Sequence, residues 1–155
     1  MARQLRSVEL GFAESAPVRL VYTGLLTARP EAVYRALATE TESWPEWFTA
    51  VTAATPTPEG RTVRLRGGSH FRETVLAAQP DVLYAYRTDE TDAPGVRALL
   101  EAWRLAPAGR GTRVRWTVAT DGTAVYRTVL RLARPALGRS FRQAVRALDR
   151  RLAKA

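Results

Sequence analysis

The chain has 155 residues, 46% of them hydrophobic and 25% charged, the size and balance of one globular domain with a full core. No apolar run reaches the roughly 18–20 residues of a membrane-spanning helix and no signal-peptide segment is visible, so the expected location is cytoplasmic. The lack of cysteine excludes disulfides, thiolate metal sites and a cysteine nucleophile, and one histidine, His70, argues against a histidine-built metal centre.

Residues before Ala16 read as an edge strand or an arm. From Val18 to Ala28, Leu20, Tyr22, Gly24 and Leu26 alternate with Arg19, Val21, Thr23 and Leu25, the pattern of a strand. Pro30 suits the first position of a short helix that turns Val33 and Leu37 inward, with Glu31 and Arg35 paired one turn apart. A second brief helix is expected over Ser43 to Phe48, where Pro45 starts the turn and Trp44, Trp47 and Phe48 crowd into five residues.

The period then shortens to two. Val51–Thr55, Thr62–Arg66, Ser69–Ala77, Leu83–Thr88, Val96–Ala106 and Thr112–Thr120 read as six further strands. Turn chemistry separates them, including Pro56 to Gly60, Gly67-Gly68 and Gly109 to Gly111. Last, Tyr126, Leu130, Ala133, Leu137, Phe141, Ala144, Leu148 and Leu152 recur every three or four residues, the buried stripe of one long helix from the cap Thr123 to Ala155. Pro135 and Gly138 are expected to bend it into two halves. Its other face is basic: from Ala124 on, eight arginines and Lys154 stand against Asp149 alone, which accounts for nearly all of the net charge of +9.

The order of elements predicts one α+β domain over residues 1–155, a curved seven-stranded antiparallel sheet wrapping a long C-terminal helix, with two short helices between the first and second strands. Alternation assigns the faces. Val63, Leu65, Phe71, Glu73, Val75, Tyr84, Tyr86, Leu99, Glu101, Trp103, Leu105, Val114, Trp116 and Val118 look toward the helix, and Arg64, Arg66, Arg72, Arg87, Arg104, Arg113 and Arg115 look out to solvent.

These residues resemble the START-like (SRPBCC) polyketide cyclase/dehydrase and lipid-transport superfamily. The likeness runs from about Val18 to Leu152 and rests on Pro30-Glu31-x-Val33-Tyr34, Trp44-Pro45-Glu46-Trp47-Phe48, Glu73-x-Val75 and Gly111 to Trp116 before a long helix. It implies a helix-grip fold with a deep apolar cavity for a hydrophobic or aromatic small molecule. The nearer likeness is to the bacterial aromatic polyketide aromatase/cyclases, in which the tryptophan matching Trp44 lines the substrate channel; Trp103 matches a second pocket tryptophan. Those cyclases carry an inward arginine near the far end of the strand matching Ser69–Ala77, where this chain has Leu76, Ala77 and Ala78.

The expected ligand-binding set is Trp44, Trp47, Phe48, Phe71, Tyr84, Tyr86, Trp103, Trp116, Tyr126, Leu130, Leu137 and Phe141, with Trp44 and Trp47 at the pocket mouth; the competing reading of Phe71, Trp116 and Phe141 is plain core. Glu73 and Glu101, the inward carboxylates, are either general bases toward a carbonyl substrate or internal hydrogen-bond partners. Ser69 and His70, adjacent on a strand, point to opposite faces and make a poor nucleophile-base pair. Two readings of the whole follow: a polyketide cyclase, aromatase or dehydratase, or a non-catalytic lipid or quinone carrier. Neither needs a cofactor or a metal. The basic helix is a solvated face or a dock for an acidic carrier protein or an anionic membrane; inward aromatics argue against nucleic acid.

Overall fold

In the computed structural model, which describes residues 1–154, the alternating segments form one antiparallel sheet and the C-terminal stripe packs across its concave face. The strands are β1 (Arg3–Gln4), β2 (Val18–Leu26), β3 (Val51–Pro56), β4 (Gly60–Leu65), β5 (His70–Gln79), β6 (Leu83–Thr91), β7 (Val96–Ala108) and β8 (Gly111–Gly122). The helices are α1 (Phe12–Ser15), α2 (Pro30–Ala38), a 3-10 turn over Thr41–Glu46, α3 (Ala124–Leu132) and α4 (Arg134–Ala153). Strand order is β2-β8-β7-β6-β5-β4-β3, so β3 to β8 form a meander and β2 joins at the β8 edge. This is the helix-grip arrangement the sequence predicts, with β1 added as an eighth strand beside the end of β6.

The grip depends on close approach between β2 and α4. A Cβ at Gly24 would lie 3.3 Å from the Phe141 ring and 3.4 Å from Val145, and one at Gly138 would lie 3.1 Å from the Tyr22 ring. Each surface thus offers a missing side chain to the other. At its far end α4 is tied down by Asp149, whose carboxylate accepts from the Thr27 N–H and hydroxyl at 3.0 Å and from the Ala28 N–H at 3.2 Å. Among the described residues no helix is long and apolar enough to cross a membrane.

Four details depart from the sequence reading. The C-terminal helix does divide, but at Ala133, so that Pro135 falls in the first turn of α4, where its missing N–H has no intrahelical partner to lose. Gly138 interrupts nothing, and Ala155, the expected helix end, lies outside the described residues. The turn carrying Trp44 is 3-10 and begins at Thr41. The N-terminal segment is both strand and arm: β1 pairs with β6, and Val8 to Ala16 lies on the convex face over Ala85, Ala98, Leu100, Ala102 and Ala119, latched by Arg87 to Glu9 at 2.6 Å. The convex side is therefore solvent only at its arginine-bearing ends, because its middle row of small residues leaves room for a covering segment.

Replacing Gly24 with Val should force α4 off the sheet. A loss of about 1–3 kcal/mol in urea denaturation is expected, the range for overpacking a filled core, and an unchanged midpoint would show that the helix does not seat there.

Candidate functional site

Between the concave face and the two C-terminal helices lies a recess of about 220 Å³. Trp44, Phe48, Phe71, Tyr86, Trp116, Tyr126, Leu130 and Leu137 line it, as do both inward carboxylates, Glu73 and Glu101. Trp47, Tyr84, Trp103 and Phe141 stand behind that wall. Trp47 packs on Trp44 with ring centroids 4.5 Å apart, Tyr84 beside Tyr86 at 5.3 Å, Trp103 against Trp116 at 5.2 Å and Phe141 against Trp116 at 5.7 Å.

Trp44 and Trp47 do not sit at a mouth: they are 2% and 1% exposed, held under α2 by the Trp44 Nε1 donating to the Leu37 carbonyl at 3.0 Å. The partly exposed rim is formed instead by Ala50, Leu65, Leu130, Leu137 and Ser140. His70 is exposed on the outer side with its own N–H bonded to Asp92, well away from the recess. Gly67 and Gly68, with φ of 99° and 98°, make the β4–β5 turn.

The residue at the centre of the recess floor is one the sequence reading passed over. Arg61 is 3% exposed, directly opposite Glu73 in the β4–β5 ladder, and its Nε donates to Glu73 Oε1 at 2.7 Å. Its guanidinium carbon lies 4.2 Å from the Trp44 ring centroid and 4.6 Å from that of Tyr86, so the cation is stacked as well as paired. Nη1 has no hydrogen-bond partner among the described residues. Gly60 makes this packing possible, since a Cβ there would sit 2.4 Å from the Glu73 carbonyl oxygen. The signal was present: Arg61 shares the parity of Val63 and Leu65 once β4 is begun at Gly60.

Glu101 is held differently. Its Oε1 accepts from Tyr86 Oη at 3.0 Å and from Trp116 Nε1 at 2.9 Å, and Trp103 Nε1 donates to Tyr86 Oη at 3.2 Å. One cation thus faces two carboxylates in a dry wall. Burial, reinforced by the neighbouring Glu101 charge, pushes Glu73 up to about 7 even though the Arg61 guanidinium pulls the other way. Glu101 is raised too, by burial. Arg61 remains a cation: burial is the largest effect and disfavours the charge, but the charge and hydrogen bond of Glu73 together with Tyr86 and Tyr84 outweigh it. The floor therefore combines a fixed positive donor with two carboxyl groups held above the usual carboxylate range, Glu73 at about 7.

The family described as polyketide cyclase / dehydrase and lipid transport matches residues 17–153. No curated protein matches the chain. Among solved structures, the chain is similar to the Zhui aromatase/cyclase of a Streptomyces species, with a TM-score of 0.73 and 16% identity over 88% of this chain and 94% of that one. A START superfamily protein of Mycobacterium smegmatis gives a TM-score of 0.70 at 12% identity, covering 88% and 97%. A protein of Thermus thermophilus gives 0.71 at 19%, covering 88% and 98%. At such identities the likeness is one of fold.

The raised carboxyl sets a pH dependence. Unfolded, Glu73 titrates near 4.5; folded, about 7; between these values the native state holds the extra proton. Stability should therefore fall as pH rises from about 4.5 to about 7 and level off above, by on the order of 3 kcal/mol. Urea midpoints measured at the two ends of that window check this, and Glu73→Gln should flatten the profile.

Proposed function

We propose a function from one premise: the chain belongs to the polyketide cyclase/dehydrase and lipid transport family. Membership implies a hydrophobic-ligand-binding role. On our reading, the chain is a single cytoplasmic ligand-binding domain that takes a hydrophobic or aromatic small molecule into the recess, apolar body against Trp44, Phe48, Trp116 and Leu137, hydrogen-bond-accepting end against Arg61. The observation that carries this is a buried, stacked arginine in the recess floor whose Nη1 lacks a protein partner: an apolar ligand alone would leave it unsatisfied, whereas a carbonyl, phenol or quinone oxygen completes it once the side chains covering that atom shift.

Recess size bears on how such a ligand enters. At about 220 Å³ it is smaller than the ~300–1,000 Å³ usual for small-molecule sites, so a larger guest requires the wall to move. The part able to do so is α3, which has no buried side chain and joins α4 at the break at Ala133. Its attachments are the Tyr126 Oη contact with Thr120 Oγ1 at 2.9 Å and the Arg127–Asp121 pair at 3.5 Å.

The same geometry supports turnover of a polyketide-like chain. A ligand carbonyl on Arg61 is polarised, and Glu73, ionisable near neutral pH, is placed in the same floor to take the adjacent acidic proton, the step shared by aldol-type cyclisation and dehydration. Glu101, fixed by two donors, stabilises the neighbouring charge distribution or serves in its place. The aromatase/cyclase among the similar structures supports this version. The absence of any fully buried side chain in α3 supports the other, a lipid or quinone carrier with no turnover.

Native mass spectrometry against a denatured sample, followed by tryptophan-fluorescence titration with phenols, quinones and a plain aromatic hydrocarbon, tests the binding. Arg61→Lys should weaken the oxygen-bearing ligands by about tenfold or more while leaving the hydrocarbon nearly unchanged, the loss expected of one charge-assisted hydrogen bond. Equal weakening of both would remove Arg61 as the head-group site. With a confirmed substrate, Glu73→Gln should abolish turnover but keep binding; unchanged turnover would exclude Glu73 as the base.

A further inference from the structure

The helix α3 is apolar on more of its circumference than the recess uses. At about 100° per residue, Tyr126 and Leu130 share one side, where they line the recess, while Val125, Val129 and Leu132 fall within a roughly 60° arc beside them. Those three are 73%, 58% and 77% exposed, three of the six exposed large apolar side chains among the described residues and the only ones gathered on one helix. An apolar surface thus runs without interruption from the interior of the recess, around one helix, to the outside. Tyr126 and Leu130 pack on the core while Val125, Val129 and Leu132 gain nothing from the fold, so their face is matched to something outside the molecule.

Charge identifies the chemistry of that partner. Arg131 stands on α3 beyond Thr128 from the exposed arc, and Arg134, Arg139, Arg142 and Arg146 follow along α4; all five are exposed and none forms an ion pair among the described residues, in contrast to Arg127 with Asp121 and Arg151 with Glu46. Apolar residues at the tip of an amphipathic helix with unpaired arginines beside them are complementary to the acyl boundary and anionic headgroups of a lipid bilayer. An acidic protein surface would satisfy the arginines but leave Val125, Val129 and Leu132 facing charge.

We propose that α3 docks on an anionic bilayer, burying Val125, Val129 and Leu132 at the headgroup boundary, so that the recess opens toward the lipid and takes its hydrophobic ligand from there. This goes beyond the ligand reading and stands apart from it, since docking does not require knowing what the recess holds. Insertion of Val129 and Leu132 would draw on the same helix that Tyr126 and Leu130 anchor to the recess, coupling membrane contact to displacement of the wall.

Co-sedimentation of the full chain with vesicles tests it. Vesicles of phosphatidylcholine and phosphatidylserine at about 7:3 should pellet the protein and phosphatidylcholine alone should not. Val129→Ser with Leu132→Ser, and separately Arg131→Glu with Arg134→Glu, should each reduce binding by roughly tenfold or more. Neither pair touches a recess-lining residue, and unchanged thermal midpoints verify that both variants fold. Absence of vesicle binding, or binding that survives the serine pair, overturns the proposal. So does size-exclusion evidence of a dimer dissolved by the serine pair, which would make the face a self-association surface, or capture of an acidic carrier protein without any vesicle binding.

Discussion

The ion pair between Arg61 and Glu73 constrains much of what surrounds it. A guanidinium and two carboxylates cannot be taken out of water without several kcal/mol of desolvation each, and such groups persist only where geometry supplies compensation. Here the compensation is specific. Gly60 lets β4 lie close enough to β5 for Arg61 to reach Glu73, and β5 is bulged against β6 between Arg72 and Glu73. The 3-10 turn buries Trp44 with its indole N–H already committed to Leu37, which leaves the ring free to cover the guanidinium. Tyr86 closes the other contact and donates a hydrogen bond from its hydroxyl to Glu101. Seen this way, the aromatic crowding of the Trp44–Phe48 segment is an enclosure for charge as much as an apolar core.

Much of this architecture was legible in the chain itself. Period-two alternation placed every strand of the main sheet and oriented Phe71, Glu73, Glu101 and Trp116 correctly, because each strand has one wet end and one buried face and the two periods do not mix. What escaped detection did so for physical reasons. Arg61 follows a Pro-rich turn, and starting the strand one residue late at Thr62 hid its parity with Val63. On the convex side, arginines at the strand ends suggested solvent throughout, while the alanines between them, too small to read as core by themselves, are covered by a segment distant in sequence. Pocket and packing roles among the tryptophans could not be separated by alternation, since Trp103 and Trp116 sit opposite one another in the β7–β8 register and both face inward, yet only Trp116 borders the recess.

The C-terminal helices divide their labour at Ala133. Beyond it, α4 is seated by paired glycines, by Phe141, Ala144 and Leu148 in the core, and by Asp149 on the β2–α2 connection. Before it, α3 is held by a cap, one hydroxyl contact, one part-buried ion pair and the partly buried Tyr126 and Leu130. A single periodic stripe in the sequence therefore spans two segments of very different local stability, and the break between them is where a rigid half of the grip meets a loosely held one.

That division bears on how such a protein changes over generations. Substitutions at the outward positions of α3, away from Tyr126 and Leu130, disturb no core contact, so they leave the folding equilibrium largely alone while altering the chemistry presented at the edge of the recess. Drift can therefore retune surface affinity through those positions without passing through unstable intermediates. The floor has no such latitude: changing Arg61 in isolation strands two carboxylates, so replacements there must arrive together or not at all. Diversity in what is admitted and constancy in how it is held are written in separate parts of the chain.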